Sequence, residues 1–258
     1  MNSCYRHPDR ETGVSCQRCD RYICPDCATP GAVGYLCPED AKDTIKIRKA
    51  NFQKSITSLA PVTMVLIGIN ILVYFIQWLI PPLTDALVYF NVGVDSEYGS
   101  ALRALTSGFA HDPSQIAHIL FNMYSLFVLG TLLEPALGKL KFLLVYFTSM
   151  FGGVVAVILF TPFGYGVYGA SGAIFGLMGS YLVMLRSIRA DTRQMLLIVG
   201  INVFLSFLPG IAWTAHFGGL AVGAAMTALM VFLTNPKFQV LKWAGMSFIV
   251  AFLASFFY

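Results

Sequence analysis

The sequence predicts an all-α polytopic membrane protein with a small polar head at its N-terminus. Three observations predict it. The 258 residues are 57% hydrophobic and only 12% charged, with mean hydropathy +0.69, which is too apolar for an ordinary soluble domain. The apolar residues are unevenly placed, because the first 55 residues are polar and hold all six cysteines while the rest is a series of long apolar runs broken by short loops. Beyond the head, Lys and Arg gather in every second loop, as expected when one side of a membrane is cytoplasmic. The net charge of +4 gives no reason to expect a nucleic-acid partner. The polar, Cys-rich start does not read as a secretory signal peptide.

The head comes first, over residues 1–44. Its ligand-type residues stand in pairs two residues apart, as Cys4-x2-His7, Cys16-x2-Cys19, Cys24-x2-Cys27 and Cys37-x2-Asp40. A tight knuckle of this kind aims two side chains at one ion, and tetrahedral zinc accepts thiolate, imidazole and carboxylate. Disulfides are the alternative, but the charge pattern puts the head in a reducing compartment, where they are uncommon. So short a segment has few apolar residues for a core, and metal would supply most of its folding free energy. Four pairs allow one or two structural zinc ions. The arrangement resembles the B-box type of zinc finger, whose pairs interleave in a cross-brace. That resemblance implies one ion on Cys4, His7, Cys24 and Cys27, and a second on Cys16, Cys19, Cys37 and Asp40. For Asp40 a solvated turn at Pro38-Glu39-Asp40 is an equally simple reading. Neither set leaves an open position for catalysis, so a structural or partner-binding role is expected, with a cytosolic protein as the possible partner.

A basic juxtamembrane linker follows over 45–60, carrying Lys46, Arg48, Lys49 and Lys54. Seven apolar spans come next, at about 61–80, 118–137, 141–160, 170–187, 194–208, 212–233 and 240–258; roughly 20 apolar residues cross the hydrocarbon core. The fifth is short. Lys139 and Lys141 lie between the second and third, Arg186, Arg189 and Arg193 between the fourth and fifth, and Lys237 and Lys242 between the sixth and seventh. The alternate loops carry only Arg103. The expected orientation therefore has the N-terminus in the cytoplasm and the C-terminus outside.

Polar residues at membrane depth are costly, so each is a candidate for function. Ser171 begins the fourth span within Gly169-Ala170-Ser171-Gly172, about one turn below the outer face. His216 lies about four residues into the sixth span. His118 and Asn122 stand one turn apart near the outer end of the second. At about 1.5 Å per residue the four groups share one shallow layer. Small-xxx-small faces, Gly172/Gly176 on the fourth span and Gly219/Gly223 on the sixth, allow close approach of their backbones. A serine needs an adjacent base to become a nucleophile, and acyl transfer needs donors for the oxyanion. Ser171 and His216 fit the first requirement. Asn122, His118 and the Ser171 N–H fit the second. Singly, each has a plain structural use, as a hydroxyl bonded back to its own helix, an interhelical partner or helix glue. Together at one depth they favour catalysis.

His118-x3-Asn122, Gly169-Ala170-Ser171-Gly172 and Ala215-His216-x2-Gly219-x3-Gly223 stand in the order found in rhomboid intramembrane proteases, and the resemblance covers about 60–235. It implies a six-helix core over 61–235, with an additional C-terminal transmembrane helix at 236–258. It implies a Ser171–His216 dyad without an acidic third member, an oxyanion site from Asn122, His118 and the Ser171 N–H, and no catalytic cofactor. Phe175 falls where the family stacks an aromatic ring on the catalytic histidine. Gly130-x3-Glu134 resembles a motif whose glutamate braces the first loop, though a helix-end carboxylate is the simpler use. Arg103 resembles the arginine of a Trp-Arg pair, with Leu102 in place of the tryptophan, and His111 reads as structural.

The activity expected is serine endopeptidase cleavage of transmembrane-helix substrates near the outer face, in a bacterial plasma membrane. Substrates would be single-pass or other transmembrane proteins, in contact with lipid. A non-catalytic rhomboid-like protein that binds membrane clients is the main alternative, but such relatives typically lack the serine or the histidine. A transporter would show coupled charges or broken helices in paired repeats, and neither is visible.

Overall fold

The computed structural model describes residues 2–30, 34–42, 60–92, 96, 99–233 and 235–257, so the linker cations Lys46, Arg48, Lys49 and Lys54 lie outside the described residues. The chain divides into two compact units, Met1–Ser58 and Leu59–Tyr258.

In the first unit β1 (Asn2–Ser3) pairs antiparallel with β2 (Glu11–Thr12), and β3 (Thr29–Pro30) with β4 (Tyr35–Leu36). A short 3-10 turn at Pro25–Cys27 joins the pairs. Among the described residues, the buried centre is made of Cys4, Cys16, Cys24, Cys27 and Cys37 with a single aliphatic side chain, Ile23. Thiols occupy the place where a larger domain would put Leu and Val. The β-ribbons were not expected from a sequence read as all-α, because two-residue strands carry no periodicity.

The second unit is predominantly helical. Its helices are α1 (Pro61–Leu79), α2 (Pro82–Leu87), α3 (Ala101–Ser107), α4 (Ile116–Leu137), α5 (Lys139–Phe160), α6 (Ser171–Ser187), α7 (Arg193–Leu205), α8 (Trp213–Phe232) and α9 (Gln239–Ala254). All seven expected spans are helices. Among the described residues, five segments are long and apolar enough to cross a membrane, namely α1, α4, α5, α8 and 236–257 around α9. The other two are shorter, with α6 at 17 residues and α7 at 13. At about 1.5 Å per residue α7 is roughly 20 Å long, short of a hydrocarbon core of about 30 Å.

The helix boundaries follow local chemistry. Pro61 starts α1 at a position whose N–H would have no helical partner, and the Pro81-Pro82 pair stops it. Gly138, at φ +80°, separates α4 from α5 in a conformation that other residues adopt only with strain. Large apolar side chains such as Phe75, Trp78, Phe121, Tyr124, Val240 and Phe248 remain exposed on the outside of the bundle, as lipid-facing surface requires.

At the centre α5, α6 and α8 pack most extensively. The glycine faces meet as their spacing predicts. A Cβ on Gly219 would collide with the Gly172 carbonyl oxygen, and one on Gly223 with that of Gly176. On α5, a Cβ at Gly153 would lie 2.8 Å from the Ala215 carbonyl oxygen. The backbones are in contact, and no side chain lies between them.

The stretch between α1 and α4, expected as a loop, contains two short helices and β5 (Tyr89–Phe90), which pairs antiparallel with β6 (Gly166–Val167). The Arg103 guanidinium is buried here and donates to the carbonyls of Asp85 at 2.5 Å and Val88 at 3.3 Å. Leu102 beside it is 67% exposed. The missing tryptophan therefore leaves the arginine brace intact. Glu134 follows the helix-end reading and departs from the role that the family resemblance implies. Its carboxylate accepts from the Val62 N–H at 3.0 Å and from the Thr63 N–H and hydroxyl at 2.8 Å each. Its partners among the described residues are therefore in the first turn of α1, which it caps, and not in the first loop. The physical reason is position. Glu134 sits at the C-terminal end of α4, beside the orphan N–H groups that begin α1, and those groups and the helix dipole attract a carboxylate.

Candidate active site and metal centre

Ser171 is the first residue of α6, where N–H groups have no intrahelical partner. The turn before it depends on Gly169, whose φ of +111° suits only glycine and whose N–H donates to the Ser107 carbonyl at 2.8 Å. His216 lies in the first turn of α8 and is buried. The contact between the glycine faces of α6 and α8 brings the two side chains together, with Ser171 Oγ 2.9 Å from His216 Nε2. Phe175, one turn along α6, stacks on the imidazole with ring centres 4.1 Å apart and planes 10° from parallel. The expected stacking partner is in place.

His118 and Asn122 line the same cavity as Ser171 and His216, a space of about 390 Å³. The Asn122 amide donates to the His118 carbonyl at 2.8 Å, which uses one of its two hydrogens. A Cβ on Gly169 would sit 3.0 Å from His118 Nε2, so that ring lies against the turn that presents Ser171. Tyr168 lies edge-on to His118, with ring centres 5.9 Å apart. Chemically, the cavity holds a hydroxyl in contact with a base, and an amide and an imidazole beside a helix N-terminus.

His111 is fully buried outside the spans, 5.1 Å from His118 by ring centres. Burial, and secondly the neighbouring His118, push it down to about 4, so its ring is neutral near pH 7. Gln77 fixes its backbone, accepting from the His111 N–H and donating to its carbonyl, both at 3.0 Å. This link from α1 to the loop has no motif in the sequence. Another group also carries no spacing signal, the Ser206 hydroxyl at the C-terminal end of α7, which lies 2.6 Å from His216 Nδ1.

In the head, the ligand atoms of Cys4, His7, Cys24 and Cys27 all lie within 4.8 Å of one another, and so do those of Cys16, Cys19, Cys37 and Asp40. The first pair of residues thus meets the third, and the second meets the fourth. Tetrahedral bonds of about 2.3 Å put two sulfurs roughly 3.8 Å apart. Cys19 Sγ and Cys37 Sγ are 3.8 Å apart, and His7 Nδ1 is 3.4 Å from both Cys24 Sγ and Cys27 Sγ. Asp40 Oδ2 is 3.2 Å from Cys16 Sγ and 3.1 Å from Cys37 Sγ. Three thiolates and a carboxylate around a divalent ion leave net negative charge. Arg21 Nε at 3.2 Å from Cys19 Sγ and Arg18 Nε at 3.8 Å from Asp40 Oδ1 oppose it. The donor chemistry and spacing therefore suit a metal at both clusters.

A rhomboid domain signature matches residues 98–232. YdcA of Bacillus subtilis (strain 168), provisionally named a rhomboid protease, is 34% identical over 72% of this chain and 96% of its own length. The same organism's rhomboid protease GluP is 34% identical over 54% of the chain, but over only 28% of its own length. RHOMBOID-like protein 1 of Arabidopsis thaliana is 38% identical over 48% of the chain and 33% of its own length.

Proposed function

The chain belongs to the rhomboid family of intramembrane proteases, and from that premise we propose that it is a serine endopeptidase acting on transmembrane-helix substrates through Ser171 and His216. The observation that carries this reading is the 2.9 Å contact between Ser171 Oγ and His216 Nε2 at the wall of a cavity.

In the proposed reaction His216 Nε2 takes the Ser171 proton as Oγ attacks the scissile carbonyl carbon. The oxyanion is held by the Asn122 amide hydrogen left free by the His118 carbonyl, by the His118 ring and by the Ser171 N–H. Collapse of the tetrahedral species breaks the C–N bond, and the proton on Nε2 passes to the leaving nitrogen. Water then repeats the sequence on the acyl-enzyme, with His216 again as base and then acid. A helical peptide bond is masked by its own hydrogen bonds, so the substrate must unwind locally. The short α7, which buries only Met195 and Val199, is the proposed side of lateral access.

The alternating Lys and Arg loops favour an N-terminus in the cytoplasm and a C-terminus outside, with cleavage near the outer face of a bacterial plasma membrane. The head, residues 1–44, is proposed to hold structural zinc at both clusters and to meet a cytosolic protein. Residues 61–235 form the proposed protease core, 45–60 its basic linker and 236–258 the additional helix.

The test is cleavage of a generic transmembrane substrate in proteoliposomes by wild type and Ser171→Ala. Cleavage by the wild type alone is expected. Equal turnover by the variant would refute the role of Ser171. Client binding without cleavage by either, and no labelling of Ser171 by a fluorophosphonate, would favour a non-catalytic rhomboid-like binder.

A further inference from the structure

Building on the role proposed for His216, we infer that Ser206 is a positioning residue that selects the imidazole tautomer able to accept the Ser171 proton. Ser206 is buried at the end of α7, ten residues before His216 in sequence. Its Oγ is 2.6 Å from His216 Nδ1 and 2.8 Å from the Asn202 carbonyl oxygen one turn earlier. A hydroxyl has one proton and the carbonyl can only accept. That proton goes to Asn202, so the Ser206 oxygen faces the ring with lone pairs alone. The group opposite it must therefore donate, which places the imidazole hydrogen on Nδ1. The lone pair is then on Nε2, 2.9 Å from Ser171 Oγ, where it is needed.

The opposite tautomer puts the hydrogen on Nε2 and leaves no acceptor for Ser171. To adopt it, Ser206 would have to withdraw its hydroxyl from Asn202 and turn it toward Nδ1, giving up one hydrogen bond. A typical bond of this kind biases a two-state choice about tenfold. Phe175 adds a second constraint, since its ring lies flat on the imidazole and fixes the plane in which both edges point. During the reaction the Ser171 O–H bond breaks and the Nε2–H bond forms. The Nδ1–H bond to Ser206 persists throughout and helps to carry the positive charge. Ser206 thus fills the orienting position that a carboxylate holds in many serine proteases, with a neutral oxygen in its place. It also makes the readiness of the base depend on α7, a third helix besides those that carry the pair.

The inference is tested with the full-length chain in proteoliposomes and by nitrogen NMR on histidine-labelled protein, with the His216 signals assigned by their loss in His216→Gln. In wild type His216 is expected to carry its hydrogen on Nδ1. In Ser206→Ala a mixture of tautomers is expected, which about halves the competent fraction. The lost hydrogen bond to the charged imidazolium brings kcat about tenfold lower in all at unchanged KM, with fluorophosphonate labelling of Ser171 slowed by the same factor. Ser206→Thr, which keeps the oxygen, should recover all three. A Ser206→Ala variant with the wild-type tautomer and wild-type kcat overturns the inference, as does an effect confined to KM. The NMR readout does not depend on turnover. If Ser171→Ala and His216→Gln both left cleavage intact, the proposed activity would fall while the tautomer result stood on its own.

Discussion

Asn122 is placed to serve both structure and the proposed chemistry. Its amide gives one hydrogen to the His118 carbonyl at 2.8 Å, which fixes the rotamer, and the second remains for the cavity. A donor held in this way costs no reorganisation when charge develops on a substrate oxygen. Asn122→Ala is therefore expected to lower kcat about 10² to 10³-fold with KM little changed, measured on a cleavable transmembrane substrate. The residue types at this site were legible in the sequence, because ionisable groups are rare at membrane depth and three spans present them at one level. Ser206 was not legible. A serine ten residues before a histidine has no periodic meaning, and its contact arises only where the turn over 206–212 folds the end of α7 back on α8.

At the scale of elements, glycine decides which helices touch. The pairing of α6 with α8 was visible as two small-residue faces, but the role of α5 was not. Its small-xxx-small pairs, Ser149/Gly153 and Gly152/Ala156, were not singled out beside those of α6 and α8, yet Gly152 and Gly153 both lie against α8. A Cβ at Gly219 would meet backbone, which cannot swing aside. Gly219→Val is expected to destabilise the bundle by about 3 kcal/mol or more through overpacking, read as a lowered Tm in detergent. Gly68→Val on α1 is the control, since nothing lies within 4 Å of the added carbon, and its Tm should stay close to wild type. The glutamate at the end of α4 was legible as a helix-end carboxylate. Its partner was not, because capping of α1 by Glu134 joins residues 72 apart in sequence.

For the whole molecule, the division into two units follows the change in composition at the end of the polar segment. The interleaving of the cysteine pairs came from the B-box resemblance and not from ligand spacing, and the ligand atoms do gather as first pair with third and second with fourth. Purified protein is expected to hold two zinc ions per chain by elemental analysis, and Cys27→Ser is expected to hold one. Chelation should make residues 2–42 sensitive to protease. The first-loop ribbon and helices stayed hidden, because short elements braced by a buried arginine show neither alternation nor a long apolar run. The thiol-built centre of the head has a thermodynamic consequence. Among its described residues the head has Ile23 as the only aliphatic side chain in its buried cluster, which supplies little hydrophobic driving force. Its folded fraction is therefore expected to follow mass action in the proposed zinc. Well above the dissociation constants, each tenfold rise in free zinc would add about 1.4 kcal/mol of stability for each ion bound. The helical unit answers to different variables, bilayer thickness and lateral packing. One chain thus joins a body governed by lipid to a body that the proposed zinc would govern through its ion activity.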